Sequence, residues 1–250
     1  MNAPLFEYLL RLSDDRLVLG HRLSEWCGHA PILEEDIALA NIALDLIGQA
    51  TALLKLASET EGAGRDADAL AFLREAVAYR NALLVELPKG DFAVTIVRQL
   101  YFSIFAYLQW QALQRSTVPE LAGIAGKAVK ETAYHVRHCA DWVVKLGDGT
   151  EESHRRAQVA VDDLWPYTGE LFLADDVDRS AAAAGFGVDP SSLERSWRVD
   201  VEELLKRATL TVPGAVWMQR GGRVGRHTEH LGHLLAEMQI LARSFPGASW

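Results

Sequence analysis

Apolar residues recur at helical spacing along most of the chain, whereas alternating or continuous β-branched runs are scarce. The pattern therefore predicts an all-α protein. In the first segment, over about 6–29, the apolar positions are Leu5, Leu9, Leu12, Leu19, Leu23 and Trp26. Glycine and proline punctuate the rest of the chain and predict further helices over about 34–60, 67–86, 91–115, 119–146, 151–173, 190–208 and 228–244.

Four of these helices are long, roughly 20 to 28 residues each, and they form two successive pairs. This order predicts a ferritin-like four-helix bundle with additional C-terminal helices, and the short helix over 67–86 falls in the connection between the pairs. Asp91 is expected to cap the third long helix and Pro119 to begin the fourth. The sequence predicts one domain over 1–250, with the bundle core over about 6–147 and a C-terminal helical extension over about 151–250.

The composition of the chain indicates which kinds of binding partner and which cellular compartment to expect. The 250 residues are 49% hydrophobic, and 34 Asp and Glu outnumber 25 Lys and Arg, so no nucleic acid partner is expected. No apolar run is expected to reach the roughly 18 residues of a membrane span, and the N-terminus lacks the features of a signal peptide. Cys27 and Cys139 are too few for a disulfide framework, and two free, buried thiols would indicate a reducing cytoplasm.

The long helices can be tested for the ligands of a di-iron centre. Such a bundle needs a Glu from one helix of each pair and Glu-x-x-His from the other, because the i, i+3 spacing puts both ligands on one face. In the first pair the candidates are Glu25 and Asp45. Small residues share the face of Asp45 and predict that it is buried, but the residue three positions later is Gly48 and not His.

The second pair departs further from the di-iron pattern. Residues 92–119 contain no Asp or Glu, so the third long helix has no interior carboxylate. On the fourth, Tyr134 follows Glu131 at i+3, while His135 and His138 share the face of Glu131. Two bridged irons would therefore lack ligands and charge compensation. We interpret these positions as a buried polar network, with a single metal ion as the alternative.

Four segments of the sequence are distinctive when taken together: residues 23–31 (LSEWCGHAP), 41–50 (NIALDLIGQA), 130–135 (KETAYH) and 227–232 (HTEHLG). They are similar to segments of the C subunits of phenylacetyl-CoA epoxidase complexes. The resemblance runs from Tyr8 to the closing residues 245–250 (FPGASW), which is nearly the whole chain.

The resemblance implies a role that spacing alone does not. Subunits of this kind are ferritin-like, non-catalytic and without a cofactor of their own, and they pair with a homologous subunit that carries the di-iron site. With further subunits and a reductase, the complex forms a ring 1,2-epoxide on phenylacetyl-CoA in aerobic phenylacetate breakdown. The resemblance also implies contacts with phenylacetyl-CoA at Tyr79, Arg80, Asn81, Arg179 and Ser180. For Arg80, an exposed helix arginine is the alternative.

Two further patterns have simpler explanations. His227, His230 and His233 recur every three residues, but successive members rotate by about −60° around a helix, so structural hydrogen bonds are favoured over a zinc site. The glycine-rich stretch 221–225 lacks the Gly-Lys-Ser/Thr of a phosphate loop and is expected to be a flexible loop before a helix. Three arginines near it would suit an acidic partner or a CoA tail, namely Arg220, Arg223 and Arg226.

Aromatic residues crowd the third long helix, whose only charged residue between positions 92 and 114 is Arg98. The aromatic positions are Tyr101, Phe102, Phe105, Tyr107 and Trp110. Either the rest of the bundle covers this helix or a partner covers part of it, and the resemblance favours a share for the partner.

Two rival functions stay open beside the non-catalytic subunit. The first is an autonomous metal-dependent oxygenase that would use Glu25, Asp45, Glu131 and His135. The second is a homo-oligomeric, CoA-binding regulatory module with no redox partner.

Overall fold

The structure is a computed structural model that describes residues 2–248. Met1 lies outside this range, as do Ser249 and Trp250 at the end of the closing segment 245–250. Over the described range the chain forms helices and no strand, so the all-α prediction is confirmed. The α-helices are α1 (Ala3–Ser24), α2 (Leu33–Glu61), α3 (Ala67–Phe72), α4 (Leu83–Glu86), α5 (Phe92–Leu113), α6 (Pro119–Gly147), α7 (Glu151–Leu164), α8 (Asp176–Ala183), α9 (Glu194–Arg207) and α10 (Glu229–Ser244).

Two compact units divide these helices between them. The first comprises Met1–Pro88 with Gly221–Trp250, and the second comprises Lys89–Arg220. The last helix of the chain is therefore part of the first unit, together with the N-terminal helices. The division into a bundle core and a C-terminal extension remains a prediction.

A hairpin of α1 and α2 is the frame of the first unit. The side chain of Asn2 caps α1 by accepting a hydrogen bond from the backbone N–H of Leu5. Acidic residues fill the first turn of α2, where their negative charge interacts favourably with the positive end of the helix dipole. Gly62, in the left-handed conformation, ends α2. Almost every side chain of α1 from Leu5 onwards is buried, and α10 packs against α1, α3 and α4.

A second hairpin, α5 and α6, is the frame of the second unit, and α7 and α9 pack on both of its helices. As predicted, the side chain of Asp91 caps α5 by accepting from the backbone N–H of Val94 at 3.0 Å. Pro119 occupies the first turn of α6, also as predicted, because its missing N–H has no partner to lose there.

The aromatic residues of α5 are covered by the protein itself. Tyr101, Phe102, Phe105 and Trp110 are fully buried, and only Tyr107 is partly exposed. The expectation that a partner covers a share of these residues is therefore wrong for four of the five. Aromatic side chains outside α5 supply the cover for Tyr101 and Phe105.

Trp197 of α9 is the centre of that cover. Its indole N–H donates to the backbone carbonyl of Tyr101 at 2.8 Å, and its ring lies 5.6 Å from the Tyr101 ring. Trp165 and Phe172 lie within 5.8 Å of the Trp197 ring, in tilted geometries that aromatic pairs favour. The buried indole thus has both an apolar environment and a hydrogen-bond acceptor.

The single helix predicted over 67–86 is wrong. The chain forms α3, a 3₁₀ turn at Ala76–Ala78, an extended stretch and then α4. The backbone N–H groups of Arg80 and Ala82 donate to carboxylates of α1 and not to helix carbonyls. These tertiary bonds outweigh the helical periodicity of the segment.

Two other helix boundaries and one further helix also differ from the sequence prediction. The first helix ends at Ser24, before the turn that contains the left-handed Gly28, and not at His29. α7 ends at Leu164 because Pro166 cannot donate the next helical hydrogen bond. The sequence analysis missed α8, although Asp175 and Asp178 form a capping box at its start.

Two expectations about composition also need correction. By length and composition α2 is apolar enough to cross a membrane, although Asn41, Asp45 and Gln49 interrupt its apolar sequence. Half of its most apolar window is buried in the protein. Of the two thiols predicted to be buried, Cys139 is buried and Cys27 is exposed, because Cys27 lies in the turn after α1.

Candidate functional site

Two adjacent carboxylates of α1 anchor the segment for which substrate contacts are expected. Asp14 and Asp15 are almost completely buried, at 0% and 1% exposure. Asp14 accepts the backbone N–H of Arg80 at 2.8 Å, and Asp15 accepts the backbone N–H of Ala82 at 2.8 Å. Residues 79–82 are therefore held in an extended course beside α1.

Each of these carboxylates also binds a guanidinium. Asp14 binds both terminal nitrogens of Arg74, one of them at 3.0 Å. Asp15 binds Arg223 through two bonds, of 3.0 and 2.8 Å, and Arg223 also donates to the carbonyl of Arg80 at 2.8 Å. Paired bonds of this kind compensate the desolvation of a buried acid, so two negative charges are tolerated inside the unit.

Glu86, at the end of α4, is a third buried carboxylate. Its Oε2 accepts from the side-chain amide of Asn81 at 2.8 Å and lies 2.7 Å from Nδ1 of His227. Its Oε1 accepts the backbone N–H of Thr228 at 2.6 Å. Since Nε2 of His227 faces the carbonyl of Tyr79 at 3.1 Å, both ring nitrogens of this histidine face acceptor atoms. Glu86 thus ties the start of α10 to the extended segment.

Arg22 of α1 completes this polar interior, which we call the carboxylate network (Asp14, Asp15, Glu86 and the groups bound to them). Its guanidinium donates to the backbone carbonyl of Glu86 at 3.1 and 2.8 Å and to that of His230 at 2.9 Å. It also donates to Glu25 at 2.6 Å. One arginine therefore joins α1, α4 and α10.

Burial and charge shift the titration of several groups in the first unit. Desolvation lowers the pKa of Arg16 to about 10, and burial also lowers the pKa of His21. Desolvation acts in the same direction on Arg74, but the charge and hydrogen bonds of Asp14 outweigh it, so the pKa of Arg74 is raised. Desolvation raises the pKa of Tyr79 well above its usual range. Arg74 therefore keeps its positive charge beside the Asp14 carboxylate.

The extended segment presents one of its three predicted substrate residues to solvent. Tyr79 is fully buried, with its hydroxyl bonded to the carbonyl of Ala71 and to Gln239. Asn81 is fully buried and is bound to Glu86. The side chain of Arg80 is 25% exposed, so Arg80 alone could reach a ligand without rearrangement.

Arg80 lies outside the helices, so its alternative interpretation as an exposed helix arginine is wrong. Its guanidinium donates to the carbonyls of Val77 and Tyr79 at 2.9 and 2.8 Å and lies 3.6 Å from Glu7. These contacts hold the side chain at the edge of the extended segment. Glu7, which is itself partly exposed, pairs with the positive charge of Arg80.

Arg179 and Ser180, the other predicted substrate residues, lie in the second unit on α8. Both are exposed. Arg179 pairs with Asp176 at 2.9 Å and donates to the carbonyl of Ala174 at 2.8 Å, which holds its guanidinium at the start of the helix. The structure thus leaves Arg179 and Ser180 accessible to a ligand.

The degenerate di-iron positions of the first unit are occupied by other interactions. Glu25 lies at the end of α1 and pairs with Arg22 at 2.6 Å, so a cation already sits on its carboxylate. Asp45 is half-buried, which corrects the expectation of full burial, because Leu44 and Gly48 beside it face solvent. Gly48 supplies no ligand.

The degenerate di-iron positions of the second unit do not form a metal site either. Glu131 lies 3.3 Å from the ammonium of Lys127, and Tyr134 stacks on His138 with ring centroids 5.9 Å apart. His135 is buried. The interior of α5 offers no carboxylate but a fully buried guanidinium, that of Arg98.

These residues do not fit a di-iron centre. Between residues 2 and 248, no group of three or more His, Cys, Asp and Glu side chains is arranged to hold a metal ion. Two bridged irons need several carboxylates that are not already neutralised, whereas Glu25 is paired with arginine and Glu131 with lysine. Glu25 and Glu131 form two separate pairs with basic side chains, and the interpretation of these positions as one buried polar network remains a prediction.

The other sequence signals also have structural explanations. His227 is bound to Glu86, while His233 is exposed and His230 half-buried, so the three do not converge. The stretch 221–225 lies against the extended segment, because a Cβ on Gly222 would be 2.0 Å from the carbonyl oxygen of Asn81. Arg223 is neutralised by Asp15, so it adds no free charge, whereas Arg220 and Arg226 are exposed.

The sequence analysis missed the residues that organise this interior. Asp14, Asp15, Arg74 and Glu86 were assigned no role. A signal was present, because two adjacent acids stand in the middle of a helix along which leucines recur at close spacing. A helix as fully buried as α1 cannot place two such acids in solvent, so they had to find cationic partners.

The fold and this interior define an all-α protein of helical hairpins whose buried carboxylates are bound to arginine, histidine and backbone N–H groups. Comparison with known proteins assigns the chain to a family. The family described as phenylacetic acid catabolic protein matches residues 1–250, and the chain belongs to it. The fold class of the family is ferritin-like, as the sequence predicted.

A characterised relative is similar along nearly its entire length. The chain is 48% identical, over 246 residues, to the C subunit of the 1,2-phenylacetyl-CoA epoxidase of Escherichia coli (strain K12). The match covers 98% of this chain and 99% of the relative. The resemblance inferred from the four sequence segments is therefore confirmed.

Removing the charge of Asp14 is expected to destabilise the protein strongly. Asp14→Asn leaves the guanidinium of Arg74 buried without a counter-charge, which we expect to lower the free energy of unfolding by about 3–5 kcal/mol. Urea denaturation followed by circular dichroism measures the change.

The matched control is Glu152→Gln, which removes an acid from an exposed arginine pair on α7. It should leave the denaturation midpoint unchanged, because solvent screens exposed pairs. If Asp14→Asn were as stable as the wild type, the buried pair would not contribute as described.

Proposed function

We propose that this chain is the structural, non-catalytic subunit of a phenylacetyl-CoA 1,2-epoxidase, and that it pairs with a homologous subunit that carries the di-iron site. The similarity to the C subunit of such an epoxidase over 98% of the chain supports the assignment to the complex. Phenylacetate breakdown in the cytoplasm is the corresponding setting. Further subunits and a reductase are the other partners in this proposal.

One observation is the main support for the proposed non-catalytic role. Where a di-iron bundle takes a carboxylate from its third long helix, α5 has no acid and buries the guanidinium of Arg98 completely. Without an acid on α5, the second helix pair supplies too few ligands for two bridged irons. Oxygen activation in this complex therefore falls to the partner, and no step of the reaction is assigned to residues of this chain.

What the chain supplies, in this proposal, is shape and a share of the substrate pocket. The carboxylate network fixes residues 79–82 and leaves the side chain of Arg80 at the surface. Arg179 and Ser180 are exposed on α8. Guanidinium groups of this kind suit the phosphates of a CoA ester, to which they donate charge-assisted hydrogen bonds.

Reconstitution separates this proposal from its rivals. The chain alone, the di-iron subunit alone and the two together are each supplied with phenylacetyl-CoA, the reductase and the remaining subunits. Epoxide formation is followed by mass spectrometry and oxygen consumption by electrode. We expect turnover only where the di-iron subunit is present, and a strong increase when this chain is added.

Turnover by this chain without the di-iron subunit would contradict the proposal and favour an autonomous oxygenase. A stable homodimer that binds phenylacetyl-CoA, yet has no effect on the di-iron subunit, would favour the regulatory module.

Arg80→Ala is expected to weaken substrate binding. In the reconstituted complex we predict that KM for phenylacetyl-CoA rises about tenfold with little change in kcat, because one charge-assisted bond to a phosphate is lost. Arg155→Ala is the matched control, since Arg155 is an exposed arginine of α7 paired with Glu152. An unchanged KM for Arg80→Ala, with KM unchanged in the control too, would remove Arg80 from the substrate site.

A further inference from the structure

His227 lies just before α10, and both nitrogens of its ring face acceptor atoms. Nε2 lies 3.1 Å from the backbone carbonyl oxygen of Tyr79, and Nδ1 lies 2.7 Å from Oε2 of Glu86. A carbonyl oxygen can only accept, so the contact with Tyr79 is a hydrogen bond only when Nε2 carries a proton. Because the side chain of His227 is 5% exposed, these two protein groups and not solvent determine its protonation.

The carboxylate of Glu86 favours a second proton on the same ring. It is fully buried and accepts from the side-chain amide of Asn81 at 2.8 Å and from the backbone N–H of Thr228 at 2.6 Å. Both donors are neutral, and a buried carboxylate without a counter-charge is strongly disfavoured. A proton on Nδ1 of His227 supplies that charge, and the distance of 2.7 Å is normal for a charge-assisted hydrogen bond.

The other charged side chains around this pair do not supply the counter-charge. From α1, Arg22 pairs with Glu25 at 2.6 Å. From the stretch before α10, Arg223 pairs with Asp15 at 2.8 Å. The remaining titratable side chains of residues 79–86 and 223–230 are Tyr79, Arg80, Arg226, Glu229 and His230. In the part of the chain that the structure describes, none of these groups forms an ion pair with Glu86, whereas the imidazole does.

Neither neutral form of the imidazole satisfies both partners. With its one proton on Nε2, the lone pair of Nδ1 would face the Glu86 carboxylate at 2.7 Å. With the proton on Nδ1, the lone pair of Nε2 would face the Tyr79 carbonyl at 3.1 Å. Each tautomer places two acceptors in contact, which costs the hydrogen bond and adds repulsion. The imidazolium alone binds both groups.

The carbonyl that His227 binds also holds the guanidinium of Arg80. Nη1 of Arg80 donates to the carbonyl oxygen of Tyr79 at 2.8 Å, so this oxygen accepts from both side chains and uses both of its lone pairs. The N–H of the same peptide group, that of Arg80, donates to Asp14 at 2.8 Å. The peptide group is thus fixed on both sides, and His227 orients the oxygen on which the partly exposed guanidinium rests.

We infer that His227 is a positioning residue of the proposed substrate site. As a buried imidazolium paired with Glu86, it fixes the carbonyl of Tyr79 and, through that carbonyl, the guanidinium of Arg80. The inference rests on the proposed function, because it takes from there the binding of a phosphate of phenylacetyl-CoA by Arg80. It adds the residue that holds Arg80 in place for this ligand, although His227 is buried and does not contact the ligand itself.

Nuclear magnetic resonance of the full-length chain, isotopically labelled at its histidine nitrogens, tests the charge of His227. At about pH 7.5 we expect a proton on each ring nitrogen of His227 and a single proton on the exposed His233, because an ordinary histidine titrates near pH 6.5. The spectra of His227→Gln and His233→Gln assign the two signals. A His227 ring with one proton at this pH would overturn the inference.

Glu86→Gln tests the cause of that charge with a side chain of nearly the same shape. Without the negative charge of Glu86, the second proton on His227 loses its stabilisation. We therefore expect one proton on the ring of His227 in this variant at about pH 7.5. A ring that keeps both protons would contradict the pairing with Glu86 on which the inference depends.

The effect on the ligand is measured as KM and kcat for phenylacetyl-CoA in the reconstituted complex. His227→Gln keeps a hydrogen-bond donor and removes the charge, and we expect KM to rise about threefold to fivefold with kcat nearly unchanged. In an Arg80→Ala background the same substitution should not raise KM further, because no guanidinium remains to be positioned. His233→Gln is the matched control on α10 and should leave KM unchanged. Circular dichroism melts test whether each variant is folded.

Effects of His227→Gln and Arg80→Ala that multiply in the double variant would overturn the positioning role, although the proposed function would stand. An unchanged KM for His227→Gln, with KM raised in Arg80→Ala, would overturn it equally. If His227→Gln does not fold, Glu86→Gln takes its place in the same cycle with the same expectation.

Failure of the proposed function gives a different result. If the wild-type chain does not stimulate the di-iron subunit, the proposed function fails and the inference fails with it. If the complex turns over but Arg80→Ala leaves KM unchanged, Arg80 lies outside the substrate site, and the inference falls while the pairing of the two subunits stands.

Discussion

The two buried carboxylates of α1 are the constraint on which the first unit depends. Asp14 and Asp15 are almost completely buried, and a guanidinium and a backbone N–H compensate each carboxylate for the loss of solvent. The hydrogen bonds that these carboxylates accept fix the extended course of residues 79–82. Arg223, from near the end of the sequence, binds Asp15 as part of the same network. Glu86 then binds the start of α10 in the same way, so the last helix belongs with the first two.

Charge balance also connects this interior to the proposed role. A di-iron protein keeps its buried carboxylates for metal ions, whereas this chain pairs Asp14, Asp15 and Glu25 with arginine and places Arg98 inside α5. The buried carboxylates of this chain are instead bound by its own basic groups, and these contacts stabilise the fold. A protein of this kind can contribute a fixed surface to a catalytic partner while it leaves oxygen chemistry to that partner.

The sequence predicted the long helices well and the connections between them poorly. Periodicity, the Asp91 cap and Pro119 determine α5 and α6 locally, so a single sequence is enough to place them. The course of residues 67–86 could not be predicted in this way, because hydrogen bonds to Asp14 and Asp15, more than 60 positions away, override the local helical preference. For the candidate site, the loss of metal ligands at Gly48 and Tyr134 was visible in the sequence, but the pairing of Arg74 and Arg223 with buried acids required the fold.

Iron content tests the central claim most directly. The chain is expressed alone and together with the di-iron subunit under iron-replete conditions, purified, and measured by elemental analysis. We predict well below one iron per chain for the lone protein and about two per pair for the complex, since the ligands of a two-metal site would all lie in the partner. About two irons in the lone chain would contradict the claim, because the arginine-bound carboxylates would then have to be metal ligands.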